Sequence, residues 1–394
     1  MKKITVIILQ FLLVFSVTGI TPVHAEEDIL AGIVSDNVIV VETGTGEILA
    51  EKNSREQIAP ASMTKMLTGI VAIEELPDLH QNIKVTDRML AGLIEANAST
   101  AGLALGEEPT VEELLYCLAL PSGADAANTL ALTVSEDMDH FIDKMNEKAQ
   151  EIGMKDSHFA NPTGLDAEGQ YTTCYDMYLL LNYCIQNDTF REVYSTETYT
   201  TGPLLYHSSG LKVTSTFLKD MHSSFDAPGF IGGKTGYTGN AGHCLASWSH
   251  INNMDIIIVT AHAMTAYTEK THLSDTAAIV KTLNDWEIRD LVKEGDLLQT
   301  ITVKSQYKEE TIEIRAPETI TDILPKNTVT ELEITFPEEV RTGLNASEQT
   351  GYFRILNNGD SVYSTEIFYR VPKETNFFAR IGLRFSEMTK GCRN

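Results

Sequence analysis

One hexapeptide constrains this chain more than any other stretch: PASMTK at residues 60–65, in which a hydroxyl and an amine stand three residues apart. The apolar residues that follow keep a helical period to about Glu75, so Ser62 and Lys65 should share one face of a largely buried helix, with Cβ atoms about 5–6 Å apart. A serine hydroxyl is a weak nucleophile at neutral pH and needs an adjacent base. Lys65 becomes that base where burial or a neighbouring cation lowers its pKa. Taken alone, the same spacing also describes a serine near a helix N-cap and a solvated lysine.

Two later motifs are equally weak when each is taken alone. Ser122 opens the sequence SGAD at 122–125, a tight link between an apolar helix that starts at the capping box 110–113 and a second helix. Lys-Thr-Gly at 234–236 lies in a glycine-rich strand, where glycines let a ligand backbone approach closely. A serine at a helix N-cap would explain the first of these motifs, and an edge strand with a solvated lysine would explain the second. All three motifs in this order are far rarer by chance than any one of them.

Residues 1–25 have the three parts of a secretory signal peptide. Lys2 and Lys3 precede a nearly unbroken apolar run over 4–17, and small residues stand before Glu26 at the expected cleavage site. The run is shorter than the ~20 residues that a membrane-spanning helix needs. We therefore expect a cleaved signal and a protein that works outside the cytoplasmic membrane, with an uncleaved anchor as the alternative.

The pattern of apolar residues divides the rest of the chain at about residue 290. Residues 26–290 begin with a β-hairpin and helical runs, and strands over 229–262 then precede a closing helix over Ser274–Trp286. In 297–372, short alternating runs between turn residues predict a small antiparallel β domain without candidate catalytic groups. The basic amphipathic segment 373–394 is either a peripheral membrane anchor or a C-terminal helix packed on its own domain.

The net charge and the spacing of the histidines and cysteines argue against several classes of protein. The net charge of −25 argues against binding to nucleic acid or to bare anionic lipid. The ten histidines show no metal-ligand spacing, so we expect neither a metal site nor a cofactor. The five cysteines are odd in number and include no Cys-x-x-Cys pair. Three of them fall in apolar helical stretches, where buried free thiols are expected.

A triple of this kind, with Ser-Asp-Asn as its middle member, marks penicillin-binding proteins and class A β-lactamases. The chain resembles the secreted D-alanyl-D-alanine carboxypeptidases, the low-molecular-weight penicillin-binding proteins, over about 39–286 and more loosely to 371. The resemblance implies an α/β (α+β) domain of the β-lactamase/transpeptidase type, with an antiparallel sheet and a helical subdomain, followed by a small C-terminal all-β domain. Three further stretches support it, namely LPSGADA at 120–126, FANPTGL at 159–165 and GKTGYT at 233–238.

The resemblance also implies roles for the motif residues. Ser62 would attack the carbonyl between the two D-alanines of a peptidoglycan stem pentapeptide, and Lys65 would take its proton. Ser122 and Lys234 would relay a proton to the leaving amine, and backbone N–H groups of Ser62 and Tyr237 would bind the oxyanion. β-Lactams, which mimic the D-Ala-D-Ala end, are the expected inhibitors. The substrate-binding residues implied in this way are Lys234, Thr235, Gly236 and Tyr237.

The chain departs from the family pattern at two positions, and two alternative functions stay open. Ala124 stands where the second motif usually has an asparagine, and His272 lies in the region where some relatives carry an arginine for the substrate carboxylate. A class A β-lactamase is one alternative, although no Glu-x-x-Leu-Asn lies between Ser122 and Lys234. A non-catalytic protein that binds stem peptides or β-lactams is the other.

Overall fold

The computed structural model describes residues 29–225, 229–304, 309–316, 318–335, 339–341 and 347–371. These residues form two compact units, divided between Asp285 and Trp286. The expected signal peptide 1–25 and the segment 373–394 lie outside the described residues. Among the helices that are described, none combines the length and the apolar character needed to cross a membrane.

The first unit is built on one five-stranded antiparallel sheet, and a separate two-stranded hairpin, β3–β4, stands beside it. The order in the large sheet is β2-β1-β7-β6-β5, so the N-terminal hairpin pairs with β7 across more than two hundred residues, and β5 is an edge strand. Asn252 and Asn253, both at positive φ, make the expected tight turn between β6 and β7. The strands are β1 (Asn37–Glu42), β2 (Glu47–Lys52), β3 (Thr198–Thr200), β4 (Lys212–Thr214), β5 (Phe230–Thr238), β6 (Gly242–Ile251) and β7 (Met254–Ala263).

Helix α1 is the central helix of this unit. A 3₁₀ turn over Ala61–Met63 opens it, and it packs against α3, α4, α5, α6 and α7. Its residues from Thr64 to Ala72 are all buried, as expected of a helix that other elements surround. The helices are α1 (Thr64–Glu75), α2 (Asp87–Leu90), α3 (Val111–Ala119), α4 (Ala124–Ser135), α5 (Met138–Ile152), α6 (Cys174–Cys184), α7 (Asp188–Tyr194), α8 (Leu218–Ser224) and α9 (Thr271–Leu283).

Local sequence signals explain several helix ends. The capping box of Thr110 and Glu113 starts α3, as predicted, and Gly153 at φ +96° ends α5. The closing helix was expected to reach Trp286, and this is wrong. Helix α9 ends at Leu283 because the side-chain amide of Asn252 donates to the carbonyl oxygens at the end of the helix, and Trp286 begins a strand.

The second unit is rich in strands, as the sequence predicted. Its sheets have the orders β10-β9-β13, β11-β8 and β12-β14-β15, and its apolar core includes Ile301, Ile314 and Phe353. The sequence pattern missed β8, β11 and β13, and β13 pairs with β9 in parallel rather than antiparallel. The strands are β8 (Trp286–Val292), β9 (Leu297–Lys304), β10 (Glu309–Arg315), β11 (Ile320–Pro325), β12 (Thr330–Thr335), β13 (Glu339–Arg341), β14 (Ser347–Asn357) and β15 (Asp360–Val371).

Candidate active site

Ser62 and Lys65 form a hydroxyl–amine pair at the start of α1. Lys65 Nζ lies 2.9 Å from Ser62 Oγ and donates to the carbonyl oxygen of Thr163 at 2.5 Å. Ser62 is half-buried, whereas Lys65 is only 2% exposed. Burial lowers the pKa of Lys65 to about 7, although the negative charge of Asp125 opposes this shift. A substantial fraction of Lys65 is therefore neutral near pH 7 and able to accept the proton of Ser62.

Lys234 and Ser122 form a second pair of the same kind. Strand β5 carries Lys234 into the protein, where its Nζ donates to Ser122 Oγ at 2.9 Å and to the Thr235 carbonyl oxygen at 3.0 Å. Burial lowers the pKa of Lys234 well below its usual value, and the positive charge of Lys65 lowers it further. Lys234 is thus buried close enough to Lys65 for the charge of Lys65 to disfavour a charge on Lys234.

Of the two causes that the sequence offered for a lowered pKa of Lys65, burial and a neighbouring cation, burial is the dominant one. The repulsion between the two lysines falls mainly on Lys234. The two lysines share one site, as the motifs predicted, but the low pKa of Lys65 depends on its burial more than on the charge of Lys234.

Two glycines allow neighbouring segments of the chain to approach the backbone of Ser62 closely. A Cβ at Gly236 would lie 3.0 Å from the Ser62 nitrogen, and one at Gly164 would lie 1.9 Å from the Ala61 carbonyl oxygen. Gly164 is also at φ +78°, a conformation that costs glycine little and other residues more. Strand β5 and the segment after Pro162 therefore both press directly on the 3₁₀ turn that presents Ser62.

Asn161 explains why the stretch FANPTGL belongs to the site. Its Oδ1 accepts from the backbone N–H groups of Thr163 and Gly164 and from the Thr163 hydroxyl, and its Nδ2 donates to the Leu165 carbonyl oxygen. These bonds shape the turn that places the Thr163 carbonyl oxygen against Lys65. Sequence reasoning used this stretch for recognition and did not assign a role to Thr163, because a backbone carbonyl leaves no residue-type signal.

Thr216 is a second residue that the sequence did not point to. Its Oγ1 lies 2.7 Å from Thr235 Oγ1, and its backbone N–H donates to the carbonyl oxygen of Leu120, two residues before Ser122. Two hydroxyls, one on β5 next to Lys234 in sequence and one from outside that strand, therefore stand together in a group suited to an anionic ligand. Thr216 lies in the segment after β4, and nothing in its local sequence marks it.

Tyr237 and His272 belong to an aromatic stack at the end of β5. Tyr237, 39% exposed, contacts His243 and Tyr267, and His243 lies parallel to His272 with ring centroids 4.8 Å apart. Burial lowers the pKa of His272 to about 3, so this ring is neutral at physiological pH. Neither histidine's Nδ1 has a hydrogen-bond partner in the described part of the chain. His272 therefore does not supply the fixed positive charge of an arginine.

Two further sequence interpretations can be compared with the structure. Cys117, Cys174 and Cys184, the three helical cysteines, are free and buried, as expected. Position 124, where an asparagine was missing, is a fully buried alanine whose N–H donates to the Ser99 carbonyl oxygen. Among the described residues, no group of three or more histidine, cysteine or acidic side chains could hold a metal ion.

Comparison with known proteins shows which family the chain matches. A model of the D-alanyl-D-alanine carboxypeptidase family matches residues 23–265, more than half of the chain. The D-alanyl-D-alanine carboxypeptidase DacF of Bacillus subtilis (strain 168) is 29% identical over 377 residues, which cover 90% of each chain. The D-alanyl-D-alanine carboxypeptidase DacB2 of Mycobacterium tuberculosis is 30% identical over 252 residues, which cover 63% of this chain and 80% of the relative.

Solved structures show the same fold. The crystal structure of the Streptomyces K15 DD-transpeptidase aligns with a TM-score of 0.58 at 27% identity, over 64% of this chain and 97% of that chain. The D-alanyl-D-alanine carboxypeptidase DacD from Francisella tularensis aligns with a TM-score of 0.64, over 87% and 94% of the two chains, and its 22% identity supports the fold alone. The predicted fold class is confirmed. By the family match, this chain belongs to the family of D-alanyl-D-alanine carboxypeptidases.

Proposed function

We propose that Ser62 is the nucleophile through which this serine-type D-Ala-D-Ala carboxypeptidase removes the terminal D-alanine of peptidoglycan stem peptides. The observation that carries the proposal is the pair of buried lysine–serine contacts, Lys65 to Ser62 and Lys234 to Ser122, each at 2.9 Å. A serine next to a neutral amine is an activated nucleophile, and a second hydroxyl next to a second amine is a path for a proton.

Acylation begins with neutral Lys65. It accepts the Ser62 proton as Oγ attacks the carbonyl carbon between the two D-alanines, and the charge moves to the carbonyl oxygen. The backbone N–H groups of Ser62 and Tyr237 are the proposed donors to that oxyanion, and the close approach of Gly236 to Ser62 supports this placement. When the tetrahedral intermediate collapses, the bond to the terminal D-alanine nitrogen breaks and Ser62 carries an ester.

The leaving amine must gain a proton in that step. Ser122 donates its hydroxyl proton to the nitrogen and is reprotonated by way of Lys234 and Lys65, the base that took the first proton. Water then attacks the ester, Lys65 accepts a proton from that water, and Ser62 regains its own. The shortened peptide leaves with a new carboxylate, and both lysines return to their starting state.

The terminal carboxylate of the substrate has a natural position beside β5. The hydroxyls of Thr235 and Thr216, 2.7 Å apart, are available to donate to the carboxylate, and Lys234, the residue before Thr235, would attract it when protonated. A β-lactam presents a carboxylate and a strained amide at similar positions, so it should acylate Ser62 in the same way. The family acts on D-Ala-D-Ala stem peptides and binds β-lactams, and both are the ligands that we assign to this site.

A β-lactamase would need a carboxylate that activates the deacylating water. Within the described residues, Lys65 Nζ instead has hydrogen bonds to the Ser62 hydroxyl and the Thr163 carbonyl oxygen. The backbone of Gly164 lies against the Ser62 turn, on the side where Thr163 meets Lys65. This arrangement favours a long-lived β-lactam adduct over rapid release.

Mass spectrometry after exposure to a penicillin tests the nucleophile. We expect one adduct on the peptide that contains Ser62, D-alanine release from a pentapeptide ending in D-Ala-D-Ala, and loss of both in Ser62→Ala. Ser223→Ala, a change at an exposed serine on α8, is the control and should retain both. Binding of the pentapeptide without release would favour a non-catalytic binding protein, and an adduct lost within seconds would favour a β-lactamase.

The family works on the cell wall outside the cytoplasm, and we propose the same setting for this chain. We infer a signal peptide at 1–25, a catalytic domain at 26–290, a β-rich domain at 297–372 and an amphipathic segment at 373–394 that attaches to the membrane surface. N-terminal sequencing of the secreted protein should give a sequence that begins at Glu26.

Flotation with lipid vesicles tests the membrane attachment. The full chain should float with the vesicles, and a version that lacks 373–394 should not. Equal flotation of the two would contradict attachment through this segment.

A further inference from the structure

We propose that Asp125 is the positioning residue of the second motif, because its buried carboxylate fixes the turn that holds Ser122 against Lys234. This inference rests on the proposed function of Ser62 and extends it to a residue outside the reacting groups. Asp125 stands next to Ala124, the position that departs from the family pattern.

The contacts of Asp125 are those of a structural anchor. It is 1% exposed, and each of its two carboxylate oxygens accepts two backbone N–H bonds at 2.9–3.0 Å. Hydrogen bonds to an ionised carboxylate are about twice as strong as neutral ones. The Ala124 N–H adds a bond to the Ser99 carbonyl oxygen at 2.8 Å. The four N–H donors to the carboxylate are those of Ala101, Gly102, Leu103 and Ala126.

These bonds join the segment 99–103 to the turn that carries Ser122. Ser122 is at φ +64°, a left-handed conformation that costs a residue with a side chain roughly 1–2 kcal/mol. Such a conformation persists only where the surroundings determine it. Gly123 lies between the Asp125 carboxylate and the Cys117 backbone with no room for a side chain. A Cβ at this position would be 2.6 Å from Asp125 Oδ1 and 2.6 Å from the Cys117 carbonyl oxygen. The carboxylate thus sits directly on the backbone that turns Ser122 toward Lys234.

The charge of Asp125 also acts on the nucleophile's base. Its negative charge raises the pKa of Lys65, against the larger lowering effect of burial. Two other ionisable groups belong to this region: Lys234, whose pKa is lowered by burial and by the charge of Lys65, and the Cys117 thiol, which stays neutral because burial raises its pKa. Loss of the Asp125 charge should therefore lower the pKa of Lys65 further. A residue that merely stabilised the fold would not have this effect.

Glu107 provides a matched control. Its side chain is fully buried, and its carboxylate accepts from the backbone N–H groups of Ala104 and Tyr206 and from His207 Nδ1. Glu107 therefore anchors the adjacent part of the same loop with the same chemistry. It makes no hydrogen bond to the 122–125 turn, and its charge acts on Cys117 rather than on Lys65.

The test compares Asp125→Asn with Glu107→Gln in the full chain. We measure the rate of acylation by a penicillin and of D-alanine release between pH 5 and 9, together with thermal unfolding. For Asp125→Asn we expect a loss of acylation on the order of 10–100-fold, since the side-chain nitrogen cannot accept the bonds that orient Ser122. We also expect the acid limb of the pH profile to move to lower pH by on the order of one unit. Glu107→Gln should lower the unfolding temperature and leave the acid limb in place.

Asp125→Glu is the second variant, should Asp125→Asn not fold. It retains the charge and displaces the carboxylate, so acylation should fall while the acid limb stays at its wild-type pH. The inference is overturned if Asp125→Asn and Glu107→Gln give equal losses and the same acid limb. It is overturned as well if Asp125→Glu acylates at the wild-type rate. Absence of an adduct on wild-type Ser62 would instead contradict the proposed function, so the two failures are distinct.

Discussion

Gly236 lies so close to Ser62 that a Cβ at position 236 would be 3.0 Å from the Ser62 nitrogen. The same Cβ would lie 2.9 Å from the Cβ of Ala61. The edge strand and the 3₁₀ turn therefore lie so close together that there is no room for a side chain at position 236. This contact sets the separation between the nucleophile and the strand that should bind the substrate.

Replacement of Gly236 by alanine should push the strand and the turn apart. Overpacking of this kind costs about 1–3 kcal/mol of stability, and a displacement of reacting groups by about 1 Å costs on the order of 100-fold in rate. We expect a loss of acylation near that size with a modest fall in unfolding temperature. Gly239→Ala is the matched control, because a Cβ there meets no atom within 4 Å. Equal rates in the two variants would show that the contact is not required.

Gly164→Ala should be more damaging to the fold. The new Cβ would meet the Ala61 carbonyl oxygen at 1.9 Å, and φ at this position is +78°. The turn would have to move and would carry the Thr163 carbonyl oxygen away from Lys65. Gly169→Ala is the control, since φ is +77° there but the nearest atom is 4.0 Å away. We expect Gly169→Ala to cost only the roughly 1–2 kcal/mol of the left-handed conformation. Calorimetry should show a larger loss of stability in Gly164→Ala than in Gly169→Ala, and acylation should be slower in Gly164→Ala.

The sequence predicted the reacting pairs because side-chain type and spacing carry that information. Ser62 and Lys65 are three residues apart, in the 3₁₀ turn and the first turn of α1, and local helical geometry brings them together. Ser122 and Lys234 are 112 positions apart, and only the known triple of motifs joined them. The strand that carries Lys234 was also predictable, because glycines around a lysine indicate a strand that a ligand backbone can approach.

The remaining parts of the site depend on backbone groups and tertiary neighbours. The Thr163 carbonyl oxygen contacts Lys65, but every residue has a carbonyl, so no residue type identifies it. Thr216 reaches Thr235 from a loop whose local sequence is unremarkable for a binding site. The dominant role of burial in lowering the Lys65 pKa needs the packing of the helices around α1, which a sequence pattern does not contain. The closing helix was predicted to reach Trp286 because the side chain that caps the end of α9, that of Asn252, is distant in the sequence.

The pH dependence of acylation should follow Lys65. Its pKa is lowered to about 7, and the neutral form is the proposed base. Below that pH the fraction of neutral amine falls about tenfold per pH unit, so acylation should fall with it, whereas above pH 8 it should level off. Stopped-flow measurement with a coloured β-lactam gives this profile. A rate that stays constant down to pH 5 would contradict Lys65 as the base.

Lys65→Arg should abolish most of the activity, because a guanidinium does not deprotonate in this range. Loss of a general base typically costs 10²–10⁴-fold, roughly the effect we expect on acylation. Lys148→Arg is the control. Lys148 lies on α5 with hydrogen bonds from its ammonium to Glu74 and Glu151, which raise its pKa and keep it charged, although burial opposes them. Its replacement should leave the pH profile unchanged.

The contact between Thr216 and Thr235 predicts which residues bind the substrate carboxylate. The two hydroxyl oxygens are 2.7 Å apart, so removal of one leaves the other without its orienting partner. A hydrogen bond to a charged group contributes about 1.5–3 kcal/mol, or roughly 10–100-fold. Thr235→Val and Thr216→Val should each slow acylation by a penicillin within that range, with the larger effect at Thr235. The penicillin methyl ester, which lacks the charge, should react with both variants at nearly the wild-type rate. Thr282→Val on α9, whose hydroxyl donates to the Ala278 carbonyl oxygen within the same helix, should affect neither compound. If the acid and the ester slow equally in Thr216→Val, the hydroxyl pair supports the strand and does not bind the carboxylate.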